Sequence, residues 1–390
     1  MGLPKAEKFF MEKGVWFFNK KFWATTFTLT GTVIGAGILG LPYVFSRAGF
    51  FIGLFWVLFL GFMIVLSKLY LGEVILRTKE THQLPGYAER YLGKWGKRFM
   101  VFEMIFGVYS ALIAYLIGEG QSFSQLFTGG INYSLYFALG FWLLMTFLLR
   151  EGLRGLKKVE SWGVIAILVI VLGMFIWYFP GVKIENLYSF DLNYLFLPFG
   201  VVLFALLGFS AIPEMKRELK GSEKLMKKAI LVGALIPVVV YILFSFIFVA
   251  TLGQNVPEVA TLAFGKIVIF LGVFTMLTSY FVLSFALNDM FRFDFKYHKR
   301  KTFILVSIVP LLIFIVLHYL NLLKFIGILG FAGVISAGVT GILIALMNLK
   351  AKKKGNRKPE YSIKINKLII IGIIIVFILG VLSEFGFLKF

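Results

Sequence analysis

Gly31-Thr32-Val33-Ile34-Gly35-Ala36-Gly37 sits midway along an otherwise apolar stretch at about 22–46. Three glycines in seven residues each cost a helix roughly 1 kcal/mol relative to alanine. In a segment surrounded by lipid, two readings follow. One is close packing of neighbouring helices through small residues. The other is a helix unwound at its midpoint. Unwinding bares backbone N–H and C=O groups, which are costly in hydrocarbon unless a partner takes them. The half-helix beyond such a break points its partly positive N-terminus at an anion, such as a carboxylate.

The composition puts this stretch in a bilayer. Of 390 residues, 59% are hydrophobic and 15% charged, with a mean hydropathy of +0.91. A soluble domain is nearer a quarter charged, and this composition in water would expose aggregating apolar patches. There is no cysteine and only three histidines, His82, His298 and His318. Disulfides, thiolate metal sites and a histidine metal centre are therefore not expected. The first twenty residues do not read as a cleavable signal peptide.

Hydropathy gives eleven spans, at about 22–46, 49–76, 99–127, 133–149, 161–179, 194–213, 229–253, 261–291, 302–318, 322–349 and 367–388. Each is near or above the roughly 20 residues needed to cross a bilayer. The net charge of +21 raises nucleic acid as a partner, but its distribution argues for a bilayer instead. Thirty-four of the 40 Lys and Arg fall in alternate connections: 1–21, 77–98, 150–160, 214–228, 292–301 and 350–367. Positive charge stays on the cytoplasmic side, so the N-terminus is expected inside and the C-terminus outside a plasma or prokaryotic inner membrane. Most of the 46 phenylalanines are expected to face lipid or pack between helices.

The sixth span carries a matching feature, Phe204-Ala205-Leu206-Leu207-Gly208-Phe209-Ser210-Ala211-Ile212-Pro213. By itself it is also compatible with a simple kink. Five spans separate the starts of the two interrupted helices. That makes 22–179 (spans 1–5) and 194–349 (spans 6–10) candidate inverted repeats, preceded by an N-terminal segment at 1–21 and followed by an extra helix at 367–388. Paired interruptions at corresponding positions point to a binding site near the midplane.

From Gly31 to Pro42 the chain resembles the opening of the amino acid/auxin permease family, and is most similar to its hydroxy and aromatic amino-acid permeases. Leu197-Pro198 and Phe204 to Pro213 resemble that family's sixth helix. Thr278-Ser279-Tyr280 with Asp289 resembles its eighth, and Ala114-Tyr115 with Gly118 and Gly120 is a weaker match. The resemblance runs through spans 1–10 in order. It implies an all-α, LeuT-type five-plus-five fold with broken helices 1 and 6. It also implies import of an amino acid, neutral and of aromatic or hydrophobic type, by ion-coupled alternating access, with no enzymatic activity and no cofactor beyond H+ or Na+.

With that resemblance the site residues take roles. Backbone at Ile34, Gly35, Ala36 and Gly37 meets the substrate carboxylate. Carbonyls near Phe204, Ala205 and Gly208 meet its ammonium. Tyr115 and Phe209 touch its side chain, or alternatively only pack. Thr278 and Ser279, with Thr275 on the same helical face and carbonyls near Gly31 and Val33, suit sodium; the bland alternative is hydroxyls bonded to their own helix. The wider superfamily's lysine in the fifth span is missing here, since 161–179 holds no Lys or Arg. A proton carrier must then be acidic, and Glu119, inside span three, is the candidate. Glu73, Glu103, Glu214 and Asp289 are expected to pair with nearby cations or form an inner gate, and Lys68 to snorkel outward. An exchanger or nutrient sensor on the same scaffold is the alternative. A channel is more remote, since neither charge rings nor a carbonyl filter is evident.

Overall fold

Asn19 starts the first helix, α1 (Lys20–Val33), by accepting the Lys21 and Phe22 amides at 2.9 and 3.2 Å. Helical geometry ends at Ile34, where ψ is 95°, and resumes as α2 (Gly37–Ala48) after a bend of 56°. The sixth span breaks likewise. Helix α7 (Leu197–Leu206) ends at Leu207 with ψ −168°, Gly208 takes φ +118°, and α8 (Ala211–Glu218) continues. A side chain at 208 would be strained at that φ, which glycine adopts freely. The chain is thus unwound at both places where glycine interrupts the apolar pattern.

The computed structural model describes residues 19–151, 156–322, 324–364 and 367–384. The remaining helices are α3 (Phe50–Leu76), α4 (Leu84–Thr128), α5 (Ser134–Glu151), α6 (Leu156–Tyr178), α9 (Met226–Leu252), α10 (Lys266–Asp289), α11 (Lys299–Tyr319), α12 (Phe325–Lys354) and α13 (Lys367–Glu384). Among the described residues eight spans, that from Leu192 to Glu218 among them, are long and apolar enough to cross a membrane, and the bent pair α1–α2 makes a ninth. The shorter apolar α5 and the 18-residue α13 complete the order of the eleven hydropathy peaks. Among the described residues the β structure is one bridge, between Gly49 and Phe190. The expected N-terminal segment lies outside the described residues up to residue 18, as does the eleventh span beyond residue 384.

The third span is longer than the apolar peak at 99–127. Helix α4 starts at Leu84, with Pro85 in its first turn, and kinks at Gly93 (φ 77°). Leu84, Tyr87, Ala88 and Tyr91 are buried while Glu89, Arg90 and Lys94 are exposed. That is an amphipathic stripe, whose mean hydropathy is too low to register as a span.

Helices α4 and α7 pack on α12, and α9 packs on α1 and α3. The contact of α12 with α7 is made by backbone: a Cβ at Gly333 would lie 2.0 Å from the Gly200 carbonyl oxygen and 2.6 Å from the Phe204 nitrogen. Phe51, Phe55, Phe59 and Phe62 of α3 are exposed, giving an apolar outer face suited to lipid.

The basic linker after α12 is strapped to the C-terminal end of α3. Buried Glu73 accepts from Ser362 Oγ (2.7 Å), the Ile363 amide (3.0 Å) and Asn348 (3.3 Å), and pairs with Arg77 at 2.8 Å. Arg357 donates to the Leu76 carbonyl at 2.8 Å, and Lys216 from the end of α8 donates to those of Ile75 and Thr78 at 3.1 and 2.6 Å. Cations at a helix C-terminus also meet its partial negative charge. Burial first, then the Glu73 carboxylate, push the Tyr361 phenol well above its ordinary pKa, so it remains a donor to the Leu69 carbonyl at 2.8 Å. Lys68 does not snorkel: it is 1% exposed, enclosed by protein.

Gly333→Val should lower the stability of the purified protein by about 1–3 kcal/mol through overpacking. Thermal unfolding in detergent reads the change. An unaltered unfolding midpoint would contradict backbone contact between α12 and α7.

Candidate functional site

Both breaks leave backbone groups without helical partners, and the fold sets them against each other. A Cβ at Gly37 would be 2.4 Å from the Ala205 Cα, and one at Gly208 would be 2.7 Å from Val33 Cγ2. Glycine at these two positions is therefore a condition of the close approach. Tyr241, fully buried on α9, closes the arrangement. Its hydroxyl lies 2.9 Å from the Val33 carbonyl oxygen and 2.8 Å from that of Ala205. One hydroxyl proton is shared between the last carbonyl of α1 and one near the end of α7. Pro237, four residues earlier on α9, has no N–H to give the Gly233 carbonyl. Thr30 of α1 fills that vacancy, its hydroxyl donating to Gly233 at 3.1 Å. The broken first span is thus hydrogen-bonded to α9 on both sides of Pro237.

Between the breaks lies a cavity of about 100 Å³. Its lining includes Val33, Gly35 and Gly37 from the first break, Phe204, Gly208 and Phe209 from the second, and Tyr115 from α4. At roughly 10–15 Å³ per water on this measure, it holds several waters or a small ligand. Tyr115 turns its hydroxyl toward Ser279 and the Ala36 backbone. A Cβ at Gly35 would sit 2.8 Å from that hydroxyl and 3.1 Å from Ser279 Oγ.

A second, smaller cavity of about 20 Å³ lies behind the first break, with room for one water or a bare cation. Gly31, Thr32 and Ile34 face Thr278 and Ser279 of α10 and Gly163, Val164 and Ile167 of α6 across it. The Thr278 hydroxyl donates to the carbonyls of Phe274 (2.9 Å) and Thr275 (3.1 Å), which leaves its oxygen lone pairs free to coordinate.

The site residues expected from sequence divide into three groups. Val33, Gly35, Gly37, Tyr115, Phe204, Gly208 and Phe209 line the larger cavity; Gly31, Ile34, Thr278 and Ser279 line the smaller one. Ala36 and Ala205 are buried at the breaks, but the carbonyls of Ala205 and Val33 are already engaged by Tyr241. Thr275 and Glu119 line neither. The Thr275 hydroxyl donates to the Gly272 carbonyl at 2.9 Å, and both Glu119 carboxylate oxygens are buried without a hydrogen-bond partner among the described residues.

Glu103 departs from expectation. It pairs with no cation among the described residues and instead lines the larger cavity, facing Ser336 and Thr340 of α12. Reading it as a helix-end acid near basic loops failed because Glu103 is buried against α12 while Lys94 and Arg98, earlier on the same helix, are exposed. Tyr241 was also missed; a proline inside an apolar span, freeing a carbonyl one turn back, was the available signal.

A sequence profile described as the tryptophan/tyrosine permease family matches residues 18–384. The chain is 24% identical to glutamine transporter 2 of Aliivibrio fischeri, over 89% of this chain and 93% of that one. It is 26% identical to tyrosine-specific transport system 1 of Haemophilus influenzae, over 59% of this chain and 58% of the relative. Among solved structures, MhsT in complex with L-phenylalanine superposes with a TM-score of 0.67 at 16% identity, over 93% of this chain and 97% of that one. That likeness establishes the fold: all-α and LeuT-type, with the first and sixth helices broken.

Tyr241→Phe should leave two buried carbonyls poorly satisfied, at a cost of about 1–3 kcal/mol. The apparent unfolding midpoint of the purified variant should fall, whereas an unchanged one would mean the hydroxyl does not hold the breaks.

Proposed function

The chain belongs to the tryptophan/tyrosine permease family, and from that premise we propose that it is a secondary active transporter importing a neutral amino acid by ion-coupled alternating access. The observation that carries the reading is the pair of opposed breaks around one cavity. Spare main-chain donors and acceptors on either side suit a zwitterion.

The carboxylate binds the free amides at the start of α2, Gly37 and its neighbours, where the helix dipole favours negative charge. The ammonium binds carbonyls of the second break. Those of Phe204 and Gly208 each accept one amide, from Leu207 and Ala211, and retain a second lone pair. Tyr115, Phe204 and Phe209 offer an aromatic surface to the substrate side chain. Among the described residues the cavity lining contains no Lys or Arg, so a side-chain carboxylate would find no counter-ion. This disfavours acidic substrates, and the aromatic surface favours a neutral side chain; the relatives' names speak of glutamine and tyrosine, both neutral.

A proton carried by Glu119 is the first reading of the coupling ion. A buried carboxylate without partners is costly to keep, and such groups inside spans usually serve ion or proton movement. The smaller cavity favours a second reading, sodium bound by Gly31, Thr278 and Ser279. Orientation with the N-terminus in the cytoplasm and the C-terminus outside rests on the one-sided placement of Lys and Arg.

Thermal unfolding against the twenty amino acids, with and without sodium, tests the binding. A ligand at 100 times its dissociation constant should stabilise by about 2.7 kcal/mol. Gly35→Leu should abolish that stabilisation, because its side chain collides with Tyr115 and Ser279; retained binding would remove the role of the first break. Uptake by proteoliposomes separates the ions. Proton coupling predicts that Glu119→Gln loses the pH dependence of uptake while Thr278→Ala behaves as wild type at every sodium concentration. The converse pattern assigns the coupling to sodium.

A further inference from the structure

Among the described residues Glu103 is the one charged side chain lining the larger cavity, and its place there is unexplained by the binding of a zwitterion between the breaks. It stands twelve residues before Tyr115 on α4, roughly 18 Å along a helix that rises 1.5 Å per residue. The cavity therefore extends from the breaks toward the face that carries the basic connections. Glu103 is 9% exposed and has no Lys, Arg or His paired with it among the described residues. Opposite it stand Ser336 and Thr340 of α12, both fully buried, whose hydroxyls have no other partner. A Cβ at Gly107 would lie 2.7 Å from Ser336 Oγ and 3.4 Å from Glu103 Oε1, so glycine there keeps the space between them open. The two hydroxyls can donate to the carboxylate, and the spare oxygen lone pairs of this group, two of whose members (Glu103 and Thr340) line the void, meet no cation among the described residues. Burying such a set is costly unless a cation visits it.

We propose that Glu103, Ser336 and Thr340 form a second station for a primary ammonium group, occupied by the amino acid as it passes between the breaks and the basic face. This rests on the transport reading above. Ser336 and Thr340 hold the carboxylate by donating to it, and the ammonium donates a charge-assisted bond to that carboxylate, with the Thr340 oxygen as a second acceptor at the cavity. The site acts on substrate arriving from or leaving to that face alone.

The test is the Michaelis constant for a labelled amino acid, measured separately from each face of oriented vesicles holding the full-length protein. Glu103→Gln should raise it on the order of tenfold from the basic-loop face and leave it unchanged from the opposite face, with the maximal rate preserved. Glu103→Asp, which keeps the charge, should recover most of the loss. An aromatic amine lacking a carboxylate should inhibit wild type from the basic-loop face and fail to inhibit Glu103→Gln. Equal constants on both faces, or an equal rise on both, would overturn the station. Should Glu103→Gln not reach the membrane folded, the double variant Ser336→Ala/Thr340→Val takes its place, with the same one-sided rise expected and the same overturning result. Wild-type vesicles that move no amino acid would overturn the transport reading itself, a result distinct from failure of the station alone.

Discussion

A peptide group in hydrocarbon must find its partner within the protein or in something the protein binds, and two spans of this chain stop supplying those partners halfway across. Everything else in the fold responds to that constraint. Gly37 and Gly208 let the broken segments touch, backbone against side-chain stem, where a Cβ would stand 2.4 and 2.7 Å from its neighbour. Tyr241 shares one hydroxyl proton between Val33 and Ala205. What these contacts leave over, amides at the start of α2 and lone pairs at Phe204 and Gly208, surrounds a void. An unwound helix without such reinforcement would be unstable, and one fully satisfied internally would have nothing to offer a ligand.

The surrounding helices divide the work of holding this arrangement. Helix α9 fixes the first break through Thr30, Gly233 and Tyr241, using a carbonyl that Pro237 sets free. On the other side, α12 presses its Gly333 onto the backbone of α7, brings Thr340 to the cavity and sets Ser336 beside Glu103. Away from the cavity, the strap of residues 355–364 and Asn348 of α12 close on buried Glu73 at the end of α3, and Lys216 of α8 caps the carbonyls just beyond it. That knot joins α3, α8 and α12 at one end of the bundle. Relative motion of those helices has to strain or rearrange it.

The fold was largely legible because bilayer physics writes itself into composition: apolar runs, glycine-bearing interruptions and one-sided basic connections survive without knowledge of packing. The breaks at Ile34–Ala36 and Leu207–Ser210 fell where glycine interrupted the pattern. The helical start of α4 did not show, because an amphipathic segment averages to the hydropathy of a loop. The site was legible only where it is made of main chain. Tyr241 and Glu103 are single residues whose meaning depends on what faces them from other helices, from 36 to more than two hundred positions away, and no periodicity encodes that. Thr275 and Glu119 lie within the expected spans but outside the lining of the two cavities at the breaks.

The central claim is that bared main chain at the two breaks holds the amino acid. Hydrogen–deuterium exchange of the purified protein measures those amides directly, with and without saturating L-tyrosine, L-tryptophan, L-phenylalanine or L-glutamine. The account predicts that whichever of these stabilises the protein slows exchange at residues 35–38 and 208–211 together, more than elsewhere in the spans. Stabilisation by an amino acid with exchange unchanged at both segments would contradict it, and would move the binding site away from the breaks.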